Sequence, residues 1–206
     1  MIDMNSVRID ALREIVNIAS GNAATALSQI LKKRINMSIP VVGVRRFQDV
    51  ADRLGEADEV VVATLLKVLG DVSGSLLLVV KEKNAKNIAY SLLEELVDEY
   101  DDDMVLSVFQ EIGNILGNSY LNAMGSFLDV NLLSSVPYIS IDMLFSIISS
   151  AYIAANEEDD YIIDIGCTLS ENNIEFDLNI FFIIDSKSLK FMMNKIEQLI
   201  ENNVNQ

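Results

Sequence analysis

A chain of 206 residues that is 50% hydrophobic carries enough apolar side chain for a sizeable core and is not a disordered one. Its formal charge of −16 argues against nucleic acid as a partner, because phosphate recognition needs a basic surface, and likewise against insertion into anionic membranes. With no histidine and a single cysteine, Cys167, it lacks a Ser-His-Asp triad, a Cys-His pair and most zinc chemistry.

Asp3, Arg8 and Asp10 interrupt any signal-peptide pattern, which together with the lone cysteine sets the expectation of a cytoplasmic protein. Ser6 reads as the cap of a first helix in which Val7, Leu12, Ile15, Ile18 and Ala19 recur at near-helical spacing. The pattern continues through Ala23, Leu27, Ile30 and Leu31 to about Arg34, with Gly21-Asn22 in its middle at a cost of about 1 kcal/mol relative to alanine. Lys32-Lys33-Arg34 reads as cations complementing the helix dipole. Ile39 to Val44 is expected to be a strand with Pro40 near its start, followed by a short helix over Phe47 to Leu54. Val60 to Val68 and Ser75 to Val80 form a predicted hairpin around a Gly70 to Gly74 turn. A helix over Asn84 to Leu96 and an acidic linker, Asp98 to Asp103, close this half.

The second half repeats the order. A helix is expected over Asp103 to Met124, with Leu106, Phe109, Ile112, Ile115 and Leu116 on its apolar side. Next come a strand over Val136 to Ile139, a helix over Asp142 to Ala155, and a hairpin of Tyr161 to Leu169 with Ile174 to Ile184 around Glu171-Asn172-Asn173. A helix over Ser188 to Ile200 ends the pattern, with a frayed end from Asn202. Tyr138 to Ala155 is the most apolar stretch, but Asp142 and its serines mark it as core and not as a membrane span. Cys167 lies in a strand-like run, where a buried, inert thiol is expected. The expected fold is α+β, an antiparallel-rich sheet with two long helices, because hairpins need no crossover.

Two copies of one pattern run through this order. Asp10-x3-Glu14-x2-Asn17 is followed after 22 residues by Pro40, and Ser107-x3-Glu111-x2-Asn114 is followed after 22 residues by Pro137. All four positions are offset by 97, and Ile15/Ile112, Ile18/Ile115 and Ala26/Ala123 are identical at that offset. An internal duplication follows: one domain over 1–206 made of two homologous halves, about 6–97 and 103–201, related by a pseudo-two-fold.

Residues three apart on a helix are neighbours, so Glu14 with Asn17 and Glu111 with Asn114 each share a face, with Asp10 and Ser107 one turn earlier. Asparagine is a poor interior helix residue, and Gly113 and Gly117 read as leaving the surface beside Asn114 bare; stability alone would favour other residues there. A carboxamide has a donor and an acceptor with which to orient a water, and a carboxylate can anchor a cation. That pair suits phosphoryl-transfer hydrolysis, where catalysis is mostly alignment and electrostatics, provided that a partner supplies the phosphate and its metal. The sequence has no evident acidic cluster that chelates a metal, so no metal site of its own is expected.

Two stretches carry a specific resemblance: Glu14-Ile-Val-Asn-Ile-Ala-Ser-Gly-Asn-Ala-Ala-Thr-Ala-Leu27 and Glu111-Ile-Gly-Asn-Ile-Leu-Gly-Asn-Ser-Tyr120. The chain resembles the CheC/CheX/FliY family, whose signature is met twice, over about Ser6 to Ile200, and most nearly its CheC members, since the extra switch domain of FliY is not expected here. The resemblance implies a phosphatase of the phosphorylated CheY-like response regulator. It implies that Asn17 and Asn114 hold the attacking water and that Glu14 and Glu111 pair with the regulator's lysine. Asp10, Ser107, Pro40 and Pro137 take positioning or structural roles, and Mg2+ belongs to the regulator, with no cofactor of the chain's own. A CheD-like deamidase is the second partner implied. Two other readings stay open: a docking module for the regulator or the deamidase with weak turnover, and a flagellar-switch component.

Overall fold

The computed structural model describes residues 6–38, 41–46, 58–93, 102–155, 161–171 and 174–204. In chain order the described elements are α1 (Ser6–Leu31), β1 (Asn36–Met37), β2 (Val41–Arg46), β3 (Val60–Gly70), β4 (Gly74–Lys81) and α2 (Glu82–Leu93). They continue as α3 (Asp102–Leu128), β5 (Leu132–Ser134), β6 (Tyr138–Met143), α4 (Leu144–Ala155), β7 (Tyr161–Glu171), β8 (Ile174–Ile184) and α5 (Ser186–Val204). The fold is α+β with a fully antiparallel set of strand pairings.

The sheet is built on the order β7-β8-β4-β3, with β1 and β2 sharing the outer side of β7 and β5 and β6 sharing the outer side of β3. The strands that follow α1 therefore pair with a strand of the second half, and those that follow α3 pair with a strand of the first. Val42 lies opposite Ile165, and Ile141 opposite Val62. Neither edge of the sheet is completed by its own half. The centre is the β4–β8 pairing, where Leu76 meets Phe182 and Leu78 meets Ile180.

Strand periodicity divides the core between the two faces of this sheet. Val62, Leu66 and Val68 of β3, Leu76, Leu78 and Val80 of β4, and Ile180, Phe182 and Ile184 of β8 point to the larger layer. Leu12, Ile15, Val16 and Ala19 of α1 and Phe109, Ile112, Leu116 and Tyr120 of α3 cover them. Val61, Ala63, Leu77, Val79, Phe181 and Ile183 face the other way, under Leu144, Ile148 and Ala151 of α4. Burial on both faces is why Leu76 to Val80 reads as a continuous apolar run and not as an alternation. Helices α1 and α3 pack side by side, α2 lies against α3, and α5 touches both long helices. An Arg8–Glu197 ion pair of 2.8 Å ties α1 to α5.

Several boundaries differ from the sequence reading. Helix α1 stops at Leu31, where Lys32 takes a left-handed φ of 52°, so the basic run lies past the helix end. Asp142 and Met143 belong to β6 and not to the following helix, because they pair with Val61 and Val60. Helices α3 and α5 each run about one turn further than expected, α5 through the residues expected to fray. Val7, Ile18 and Ile30, which the spacing assigned to the buried stripe, are exposed, while Leu106 and Ile115 are half-buried. Asn84 to Leu93 is helical, but 94–96, the expected helix over Phe47 to Leu54, Pro40, most of the acidic linker and the turn at Asn172-Asn173 lie outside the described residues.

Where α1 and α3 meet, the buried Ser20 and Tyr120 hydroxyls lie 2.7 Å apart. Ser20 Oγ already donates its single proton to the Val16 carbonyl at 2.8 Å, so the Tyr120 O–H is the donor between them. Cys167 of β7 sits beneath this pair, and burial pushes its thiol up to about 12, which leaves it un-ionised and unreactive near neutral pH, as expected of it. Removing Ser20 leaves the buried phenol with only the weak Cys167 sulfur as a partner, whereas removing the phenol leaves Ser20 on the Val16 carbonyl. Ser20→Ala is therefore expected to cost about 1–3 kcal/mol and Tyr120→Phe about 1 kcal/mol, read by urea unfolding; the reverse ranking would contradict the assigned direction of the bond.

Candidate functional site

Each copy of the motif sits on the outward side of a long helix whose inward side is fixed in the core. Leu12, Ile15, Val16 and Ala19 are buried, which leaves Asp10 and Glu14 exposed and Asn17 half-buried. In α3, Phe109, Ile112, Gly113 and Leu116 are buried, leaving Ser107 and Glu111 exposed and Asn114 half-buried. Glu14 and Glu111 have no hydrogen-bond or ion-pair partner among the described residues, so both carboxylates stand ready for an external cation. Asp10 is held by Arg13 at 2.8 Å, and Ser107 Oγ donates to the Asp103 carbonyl at 2.9 Å. These two signature positions are engaged within their own helices.

Gly113 and Gly117 do not leave the outer surface bare. They face inward, over β3. A Cβ on Gly113 would lie 2.4 Å from Thr64 Cγ2, and one on Gly117 would lie 3.0 Å from a δ-carbon of Leu66. The glycines let α3 approach the sheet, and the carbonyl of Phe109 accepts a bond from Thr64 Oγ1 at 3.3 Å. The corresponding residues of α1 are Val16 and Ser20, both buried. Gly21, by contrast, is exposed, and its absent Cβ would meet nothing within 4 Å.

The asparagines differ in their surroundings. Asn118, one turn after Asn114, donates through Nδ2 to the Asn114 carbonyl at 2.8 Å and to Asn114 Oδ1 at 2.9 Å. Its own Oδ1 accepts from Ser134 Oγ of β5 at 2.9 Å. Pro137 follows in the segment that leads from β5 to β6 and is half-buried. Asn17 has no hydrogen bond among the described residues, and Gly21 stands where Asn118 would be. Asn118 and Ser134 were not singled out from sequence; a second carboxamide four residues after Asn114 on the same helix face was the available signal.

Each motif is accompanied in the chain by exposed apolar side chains. Val41 and Tyr138 occupy equivalent positions, each directly after its proline, and are 73% and 70% exposed. Ile18 is also exposed beside Asn17. Among the described residues no three His, Cys, Asp or Glu side chains group to hold a metal ion, and no helix is long and apolar enough to cross a membrane.

Two family models match the chain, the CheC-like family over residues 8–44 and the chemotaxis phosphatase CheX over residues 62–152. The CheY-P phosphatase CheC of Bacillus subtilis is 29% identical over 189 residues, covering 89% of this chain and 90% of that protein. The chain is similar to the CheC-like and CheX phosphatase families over these segments. Its fold matches the crystal structure of Thermotoga maritima FliY with a TM-score of 0.77 at 20% identity, covering 96% of this chain and 99% of that one. A CheX–CheY–BeF3–Mg2+ complex from Borrelia burgdorferi matches with a TM-score of 0.50 at 18% identity, over 86% of this chain and 99% of that one.

The inward placement of Gly113 separates the two helices in a measurable way. Gly113→Ala forces a methyl into Thr64 and is expected to cost about 1–3 kcal/mol. Gly21→Ala meets open space and removes backbone freedom, so it is expected to stabilise by about 1 kcal/mol. Thermal or urea unfolding of the two variants checks both signs.

Proposed function

We propose that the chain is a protein phosphatase that hydrolyses the aspartyl-phosphate of a CheY-like response regulator at two sites, one on α1 and one on α3. The observation that carries this reading is the repeated presentation of an unpaired, exposed carboxylate beside a half-buried carboxamide, Glu14 with Asn17 and Glu111 with Asn114. Such a surface has too few groups to do chemistry on a small molecule by itself. It has what a partner's active site lacks: a group that reaches in and aligns a water.

In this reading Glu14 and Glu111 accept from the regulator's active-site lysine, a charge-assisted contact that docks the helix. Asn17 and Asn114 hold a water in line with the phosphorus. The water attacks, the bond between phosphorus and the aspartyl oxygen breaks, and inorganic phosphate leaves with the regulator's carboxylate restored. Mg2+ is held by the regulator and offsets the charge on the phosphoryl oxygens; this chain contributes no ligand to it. Ile18, Val41 and Tyr138 supply apolar contact around the sites, which fits docking of a folded protein better than of a soluble metabolite. Asp10, Ser107, Pro40 and Pro137 serve position and local structure. A CheD-like deamidase is the second partner we infer, on the family resemblance alone, and so is the origin of both sites in two homologous halves, on the repeated motif.

The test is the decay of a phosphorylated CheY-like receiver in Mg2+. The chain is expected to accelerate decay, and Asn17→Ala with Asn114→Ala to remove that acceleration by about 100-fold or more. A double variant that still accelerates decay would overturn the catalytic reading. A wild-type chain that binds the receiver without accelerating decay would favour a docking module.

A further inference from the structure

The two sites share a motif but not a setting, and the difference lies one turn beyond each asparagine. A backbone carbonyl only accepts hydrogen bonds, so the bond from Asn118 to the Asn114 carbonyl fixes which end of the Asn118 amide faces Asn114. Ser134 Oγ, donating to the Asn118 oxygen from the opposite side, fixes it a second time. With the Asn118 nitrogen so placed, Asn114 must present its own oxygen to it, and does so at 2.9 Å. The Asn114 Nδ2 is thereby turned away from Asn118, and one lone pair of Oδ1 stays available. The carboxamide that the mechanism needs is held in one rotamer and one flip state before any partner arrives.

Among the described residues nothing equivalent holds Asn17. Gly21 replaces Asn118, Met37 replaces Ser134, and Asn17 has no hydrogen bond among the described residues. Its carboxamide has to be ordered at the moment of reaction, and that ordering is part of the barrier.

We propose that Asn118 is a positioning residue that presets the Asn114 carboxamide, making the site on α3 the faster of the two. This rests on the phosphatase reading above. The experiment measures kcat and KM for a phosphorylated receiver in an Asn17→Ala background, where α3 alone is read. Adding Asn118→Ala is expected to lower kcat on the order of tenfold with KM changed less than twofold, since Glu111 and its docking contact are untouched. Asn118→Asp, which keeps shape but cannot donate to the Asn114 carbonyl, is expected to be as slow. Ser134→Ala, which loosens Asn118 only from behind, is expected to fall between. The same Asn118→Ala substitution read in an Asn114→Ala background reports on α1 and so on any general damage to the fold. A drop confined to α3 supports positioning; an equal drop at both sites, or an unchanged kcat at α3, overturns it. Faster turnover by Asn114→Ala than by Asn17→Ala also overturns it. If the Asn17→Ala, Asn114→Ala chain itself retains activity, the phosphatase mechanism fails and not the positioning step alone.

Discussion

The close approach of α3 to β3 is the contact on which the rest of the surface depends. With Gly113 over Thr64 and Gly117 over Leu66, the helix backbone lies almost on the sheet. That depth fixes the rotation of α3, and the rotation decides which residues face outward: Ser107, Glu111, Asn114 and Asn118. It also brings Asn118 within reach of Ser134 on β5, a strand held to the sheet by its pairing with β3. Packing in the core and geometry at the site are thus set by the same two glycines. A side chain there would act on both at once.

Helix α1 reaches a similar result by different means. Val16 and Ser20 stand at the positions of the two glycines, and Ser20 spends its hydroxyl on Tyr120 of α3 and the Val16 carbonyl. The outward set is Asp10, Glu14 and Asn17, but the next turn carries an exposed glycine and not an asparagine. The strand exchange, with β2 on β7 and β6 on β3, ties the strand after each motif-bearing helix to a strand distant in sequence. The two candidate sites on so joined a frame share their support while differing in how each carboxamide is held among the described residues.

Much of this was legible in the chain itself. The repeated spacing of glutamate, asparagine and proline marked the two long helices as carriers of the candidate sites we propose, and the alternation of turn residues with β-rich runs marked the hairpins. What failed, failed for physical reasons. A glycine in a helix means either an open surface or a close approach, and only the position of β3 tells which. In the largely apolar run after Pro137 no Gly, Pro or turn cluster separates strand from helix, and Asp142 reads as readily as a helix start as a strand residue, so Asp142 and Met143 fell on the wrong side of the boundary. Exposed Ile18 lies beside Asn17 and breaks the rule that apolar spacing marks the core, as a docking surface does. The pairing of β1 and β2 with β7 joins segments more than a hundred residues apart, and nothing local encodes it. Asn118 was in view but unremarked, because its meaning comes from Ser134 on a different element.

The central claim is a division of labour, in which the glutamates dock the partner and the asparagines align the water. The most direct test is the binding of a beryllofluoride-charged receiver, with Mg2+, to two double variants by titration calorimetry. The account predicts that Asn17→Ala with Asn114→Ala keeps affinity within a few-fold, while Glu14→Lys with Glu111→Lys weakens it by about tenfold or more. Loss of binding on removing the asparagines, or undiminished binding after reversing both glutamate charges, would contradict it.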